Sequence, residues 1–373
     1  MKELSVYLRN KIIHTLYKGV FKPIFFRRDP ETIHDWTIKF GQKFGRHYFL
    51  RKVTEILFNY RNEILAQEIL GINFGNPIGL AAGFDKNAEL TKIIPKIGFG
   101  FMEIGSVTGN PCAGNKKPRL WRLPKSRSLA VYYGLKNDGC EKIAERLKNK
   151  KFNIPVGISV AMTNCKENLD IETAIKDYAK AFVATESAAD YLTVNISCPN
   201  AEGGQPFLEA EKLERLMNVL DAIPTKKPVF IKLSPDLSHN ELNALLDVAR
   251  RYRIQGIICA NLTKKRENPK ILDQNVPEKG GLSGKVVQDL ADEMLAYIYK
   301  RERRRFILIG CGGVFTAEDA YKKIRLGASL IQLITGMIFE GPQVVSEINR
   351  RLALFLKRDG FTRIEDAIGA DNC

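Results

Sequence analysis

Apolar residues along the first 28 positions recur every fourth residue. They are Leu4, Leu8, Ile12, Leu16, Val20 and Ile24, with Ile13, Tyr17, Phe21 and Phe25 on the adjoining row. That spacing predicts an amphipathic helix. Pro23 is expected to kink or end it, because its ring clashes with the preceding turn and its nitrogen donates no hydrogen bond. Asp29-Pro30 then reads as a new helix start, with Asp29 as N-cap and Pro30 in the first turn. Residues 31–65 read as one or two helices, and no strand is expected before about residue 70.

From residue 77 the pattern changes. Short apolar runs ending in Gly, Ser, Asn or Cys alternate with longer helical stretches. The runs are Pro77–Gly83, Phe101–Thr108, Ile154–Val160, Tyr191–Cys198, Val229–Pro235, Gly256–Thr263, Phe306–Gly313 and Ala328–Gly336. Their near-continuous apolar character suits parallel strands buried on both faces. Helices are expected over Ile171–Ala189, Glu209–Ala222, Ser238–Tyr252, Gly284–Arg301 and Ala317–Leu326. Eight strands with helical crossovers predict an α/β fold of the (β/α)8 TIM-barrel type, with a doubly wound sheet as the competitor. The expected division is an N-terminal helical extension over residues 1–70 and a barrel over 71–373.

Composition adds constraints. With 45% hydrophobic residues and a mean hydropathy of −0.19 in 373 residues, a sizeable core is available. No run of eighteen apolar residues and no signal-peptide pattern is evident, so neither a membrane span nor a secretory leader is expected. Seven cysteines are scattered without a CxxC pair, and none of the four histidines falls in an HExxH arrangement. A disulfide scaffold and a zinc site are therefore not expected. The net charge of +16 points to an anionic partner: nucleic acid, an acidic membrane surface or a phosphorylated ligand. Seven basic residues against Glu3 give +6 within the first 28 residues. A basic amphipathic segment with aromatics fits a membrane interface, and it equally fits a helix docked on its own core.

In a barrel, chemistry sits where strands end at their C-terminal side. The ends here are polar: Gly83-Phe84-Asp85-Lys86-Asn87, Gly105-Ser106, Asn195 through Asn200, Lys232-Leu233-Ser234, Asn261, Gly312-Gly313 and Thr335-Gly336. No carboxylate pair or Ser–His–Asp set is apparent. The inventory suits a planar heterocycle and a phosphate. Gly310 through Gly313 after the seventh strand and Thr335-Gly336 after the eighth match the barrel's usual phosphate site. Cys198, bracketed by Asn195 and Pro199-Asn200, is a candidate acid, base or nucleophile; the other six cysteines read as structural. Lys232, within a packed strand end, could stabilise an anionic reduced flavin.

Taken together these strings resemble the dihydroorotate dehydrogenases, specifically their quinone-dependent, membrane-associated class. The carrying segments are Asp29 through His34, Asn76 through Glu89, Glu103 through Thr108, Pro118 through Pro124, Asn195 through Asn200, Ile231 through Leu237, Gly280 through Gly284 and Gly312 through Pro342. The resemblance implies FMN held by Ala81, Ala82, Gly83, Gly105, Ser106, Asn195, Lys232, Gly284, Gly312, Gly313, Thr335 and Gly336. It implies a dihydropyrimidine, dihydroorotate, held by Lys86, Asn195, Asn200 and Asn261, with Cys198 as the base. It places Arg122 near a quinone tunnel formed by the N-terminal helices. It further implies a peripheral protein on the cytoplasmic face of the inner membrane, with no nucleic-acid partner and no metal.

The chain also departs from that pattern. Cys198 stands where the quinone class usually has Ser. Val131 replaces a substrate-binding Asn, Leu262 a Thr, Ser159 an FMN-contacting Asn, and Ile334 a common aromatic near the quinone. Two further readings are a flavin barrel acting on another dihydropyrimidine or cyclic ene, and a degenerate or nucleic-acid-binding flavoprotein.

Overall fold

The computed structural model describes residues 2–372. Four helices come first: α1 (Lys2–Leu16), α2 (Lys22–Phe26), α3 (Pro30–Arg46) and α4 (Tyr48–Phe58). Pro23 does not end the first segment. A π-helical turn, Tyr17–Phe21, joins α1 to α2 and takes up the missing hydrogen bond ahead of the proline. Asp29 caps α3 as expected, its carboxylate accepting from Thr32 N at 2.8 Å.

A hairpin follows, β1 (Gln67–Ile69) and β2 (Ile72–Phe74), so strand structure begins earlier than the sequence pattern implied. Its turn, Leu70-Gly71, has positive φ at both residues, the backbone of a tight hairpin. Only three residues per strand are too few to show an alternation, and the expected boundary at 70/71 falls inside this turn.

The barrel strands are β3 (Ile78–Leu80), β4 (Phe101–Val107), β7 (Val156–Val160), β8 (Tyr191–Asn195), β9 (Val229–Lys232), β10 (Gly256–Cys259), β12 (Ile307–Cys311) and β13 (Leu330–Leu333). They pair in parallel, each with its neighbour in that order, and β13 returns to β3. The closed sheet excludes the doubly wound alternative. All eight expected runs contain their strand; the polar ends beyond the strands are loops, except that Thr335-Gly336 opens a helix and Gly105-Ser106 lies within β4. A small antiparallel sheet of β5 (Leu120–Leu123), β6 (Ser128–Val131) and β11 (Gly281–Gly284) lies outside the barrel. None of these three was expected, and the helix expected from Gly284 begins at Gln288 instead. Their order, with residues 132–280 between β6 and β11, leaves no local hairpin signal for β11.

The barrel interior is registered by glycine against aromatic rings. Gly79 lies beside Phe101, Gly157 beside Tyr191 and Gly256 beside Phe230 on adjacent strands. A Cβ at these glycines would fall 2.0–2.3 Å from the ring. The rings pack with Ile258, Ile309 and Leu330, and the β1–β2 hairpin closes this layer from below with Ile69 and Phe74. The N-terminal mouth is thus plugged, and open space is left at the C-terminal ends.

The cap inverts the usual polarity of a surface helix. Leu4, Leu8, Ile12, Leu16, Val20 and Ile24 are exposed. The opposite side of α1 and the π-turn dock through polar groups, Asn10 to Glu347, Arg9 to Ser346 and Tyr17 to the carbonyl of Ile338, with Val6 packed on the core. A ladder of aromatic rings, Phe25–Trp36–Phe40–Phe44, continues the apolar surface across α2 and α3. Among the described residues no helix is long and apolar enough to cross a membrane. The cap is tied to the barrel by buried Glu31 of α3, which Arg119 grips through Nε and Nη2 at 2.7–3.1 Å.

The glycine register gives a direct test. Gly79→Ala should destabilise the fold by about 1–3 kcal/mol through overpacking against Phe101. Adding Phe101→Leu should recover part of that loss in chemical denaturation. Strictly additive losses would show that the ring does not set the register.

Candidate active site

One cavity opens at the C-terminal ends of the barrel strands. Ala81, Ala82, Gly83 and Lys86 enter it from the loop after β3, and Gly105 and Ser106 from the end of β4. Asn195, Cys198 and Asn200 come from β8 and its loop, Lys232 from β9 and Asn261 from beyond β10. Gly284, Gly312, Gly313, Thr335 and Gly336 complete the set. Every expected site residue except Arg122 therefore lines one space.

Arg122 sits apart, on β5. It donates to the carbonyl of Arg28 at 2.7 Å and lies over the Phe26 ring. It shares a face of β5 with Leu120, which lines the cavity, but lies two residues further along, where it meets α2.

The amides form a connected network. Asn195 Nδ2 donates to Ser106 Oγ, which pairs with Ser159 Oγ, both at 2.8 Å. Asn261 Nδ2 donates to the carbonyl and hydroxyl of Ser197 at 2.9 and 3.0 Å. Ser159 is fully buried, so it positions Ser106 from behind the cavity wall. The loop bearing Cys198 is held from both sides. Gln205 Nε2 donates to Ser197 O, Asn115 Nδ2 to Asn200 O, and Asn200 Nδ2 to Val131 O. Such cross-ties fix a backbone that has no strand or helix of its own.

Beside the amides part of the wall is apolar. Val131, Leu135, Pro199 and Leu262 line it, and Leu262 packs so closely on Gly281 that a Cβ there would meet it at 2.5 Å. Gly312-Gly313 and Thr335-Gly336, the residues expected to take a phosphate, lie in the same lining. Gly312 and Gly313 have positive φ, and the helix Thr335–Glu340 starts at Ile334, which offers no capping side chain. Its first N–H groups lack intrahelical acceptors by geometry and are available to an anion.

The lysines define the electrostatics. Among the described residues, neither Lys86 nor Lys232 has a carboxylate oxygen within 4 Å, and Lys232 is 5% exposed. Lys86 Nζ stands 4.1 Å from the centre of the Tyr133 ring. Burial, and then the neighbouring Lys136, lower its ammonium to about 8. Burial pushes the Cys198 thiol up to about 11, against the N–H groups of Asn200 and Ala201.

The sequence reading missed His34 and Tyr133, which both line the cavity from the rim. His34 was part of a quoted motif, but its helix lies far from the barrel in sequence. Tyr133 has no local signal except its spacing of two from Val131. Cys311, taken as structural, also faces the cavity, because it ends β12. Cys373 lies outside the described residues. No group of three or more His, Cys, Asp or Glu side chains among the described residues could hold a metal ion.

The family model described as dihydroorotate dehydrogenase matches residues 64–356. A dihydroorotate dehydrogenase (quinone) of Haloarcula marismortui is 40% identical over 314 residues, 84% of this chain and 88% of the relative. One from Christiangramia forsetii is 36% identical over 341 residues, 90% and 98% of the two chains. The ligand-free DHODH structure from Eimeria tenella superposes with a TM-score of 0.83 at 29% identity, covering 92% of this chain and all of that one.

The thiol provides the test of this geometry. Alkylation of Cys198, followed by mass spectrometry, should rise about tenfold per pH unit from pH 7 to 10, since the thiolate fraction grows toward a pKa near 11. A plateau near pH 8 would contradict the burial seen here.

Proposed function

The chain belongs to the dihydroorotate dehydrogenase family, and from that premise we propose that it oxidises dihydroorotate to orotate with FMN in the barrel cavity and a membrane quinone as acceptor. The observation that carries this reading is the pair of lysines, Lys86 and Lys232, sharing one cavity without a counter-ion. Two anionic groups satisfy them: a substrate carboxylate for Lys86 and the reduced flavin ring for Lys232. Isolated charges in such surroundings are costly unless paired.

The residues present fit FMN. The uncapped helix start at Thr335-Gly336 and the left-handed Gly312-Gly313 backbone suit its phosphate. Lys232 and the Ser106–Asn195 amide network suit the polar edge of its ring, and Ala81 and Ala82 supply apolar wall. Bound there, FMN supplies a hydride acceptor that can pass electrons onward.

The protein groups then have distinct tasks. Lys86 holds the substrate carboxylate, and Asn195, Asn200 and Asn261 orient the ring amides. Cys198 takes the proton from the carbon next to the ring carbonyl while the neighbouring carbon gives up hydride. A thiol with its pKa near 11 is a reluctant base at neutral pH, so proton removal quickens as pH rises. The exposed apolar row of α1 and α2 and the aromatic ladder fit a peripheral seat in a membrane interface, where quinone is available. Arg122, at the cap junction beside Phe26, stands where a quinone entering between the helices would pass. The cytoplasmic face of the inner membrane is the proposed location.

The decisive experiment is anaerobic mixing with dihydroorotate while the flavin band is followed. Wild type should bleach, and Cys198→Ala should slow bleaching by about 10²–10⁴-fold. Full-rate bleaching in Cys198→Ala would remove the thiol from its role. No bleaching of wild type would reject dihydroorotate and favour another dihydropyrimidine, as the apolar Val131–Leu262 wall would then suggest. With dihydroorotate as substrate, Val131→Asn with Leu262→Thr should lower KM, by about fivefold for each hydrogen bond restored.

A further inference from the structure

We propose that Asp35, His34 and Lys86 form a proton path from the surface of the N-terminal cap into the cavity, and that it delivers a proton consumed when quinone is reduced. The proposal rests on the function argued above. The three groups stand in line. Asp35 on α3 is 48% exposed, and its Oδ1 lies 3.4 Å from His34 Nδ1. The other ring nitrogen, Nε2, lies 3.5 Å from Lys86 Nζ and 3.0 Å from the carbonyl of Phe84. Lys86 in turn faces the cavity. A solvated carboxylate, an imidazole and a cavity ammonium thus run from water to the site.

His34 sits in a balanced environment. With the proton on Nε2, the ring donates to Phe84 O but sets a lone pair against the Asp35 carboxylate. With the proton on Nδ1, it donates to Asp35 and accepts from Lys86, but turns a lone pair to Phe84 O. Each tautomer satisfies one side and frustrates the other. Neither is strongly trapped, which is what a shuttle needs. Burial and the adjacent Lys86 keep the ring neutral by lowering its pKa. The other charged groups facing the path are Lys136, Asp85 and Glu31, the last held by Arg119. The Tyr133 ring closes it on the cavity side.

The stoichiometry leaves a task for such a path. Dihydroorotate loses two electrons and two protons on becoming orotate. One proton leaves to Cys198, and the other travels with both electrons as hydride. A quinone takes up two electrons and two protons on becoming quinol. The hydride accounts for one of those protons. The second comes from the Lys86 ammonium once the oxidised product has left it; the amine is reprotonated by His34 Nε2–H, while Nδ1 gains a solvent proton relayed by the exposed Asp35 carboxylate, which ends as it began. No other bond changes and no further oxidant is required.

The test uses Asp35→Asn, whose exposed site tolerates the change, and His34→Gln. Holoenzyme is reduced with dithionite and mixed with a short-chain ubiquinone. Reoxidation should slow by about tenfold or more in both variants, and the solvent deuterium isotope effect should grow. Anaerobic reduction by dihydroorotate, measured separately, should stay within about twofold of wild type. A second readout needs no turnover. ¹⁵N-imidazole spectra of the flavin-free protein should show His34 exchanging between tautomers, and Asp35→Asn should leave only the Nε2–H form. Wild-type reoxidation rates in both variants, or one fixed tautomer in the unmodified protein, would overturn the path. Failure of dihydroorotate to reduce wild type would instead overturn the substrate reading.

Discussion

Two ammonium groups share one cavity and neither meets a carboxylate. That constraint organises the molecule. Elsewhere the barrel treats a buried lysine differently: fully buried Lys323 is paired with Asp292 at 2.5 Å. Lys232 ends β9 and Lys86 lies in the loop after β3, where packing is dense enough to strip water but space remains for ligands. Unpaired, each is unfavourable; paired with a bound anion, each becomes a strong point of attachment. The thiol of Cys198 in the same cavity meets the same desolvation, which disfavours its charged form. The two lysines and the thiol thus bring charge and desolvation together in one place.

The cap extends this logic outward. Its contact with the barrel combines polar groups, Asn10, Arg9 and Tyr17, with apolar packing of Val6 and Phe26, and its apolar row faces away. In water that arrangement leaves hydrophobic surface unburied, whereas an apolar interface stabilises it. The Glu31–Arg119 pair carries the link inward, since Arg119 also lies over the Tyr133 ring that faces Lys86. Burial raises the Glu31 carboxyl, but the Arg119 guanidinium more than offsets this and holds it below its ordinary range. Its contribution to stability is therefore present at neutral pH and lost as pH falls through that depressed value.

Much of this was legible in the sequence. The eight apolar runs located every barrel strand because a parallel strand buried on both faces has few polar positions. The polar strand ends pointed to thirteen of the lining residues, since a (β/α)8 barrel works at that face, and the family resemblance added Ala81, Ala82 and Gly284. What stayed hidden has physical reasons. The β1–β2 hairpin and the β5–β6–β11 sheet use three- and four-residue strands with no period to detect. Pro23 was absorbed by a π-turn that no spacing announces. His34 reaches the cavity through tertiary packing alone, and the outward orientation of the apolar row is set by which face of α1 finds hydrogen-bond partners.

The central claim is that Lys86 is held ready for an anion. Calorimetric titration of orotate into the holoenzyme across pH tests it most directly. Affinity should be flat below about pH 8, where the Lys86 ammonium is intact. Above that value it should fall, approaching tenfold per pH unit, as the free enzyme loses the charge. Affinity that stays constant from pH 7 to pH 10 would contradict the account.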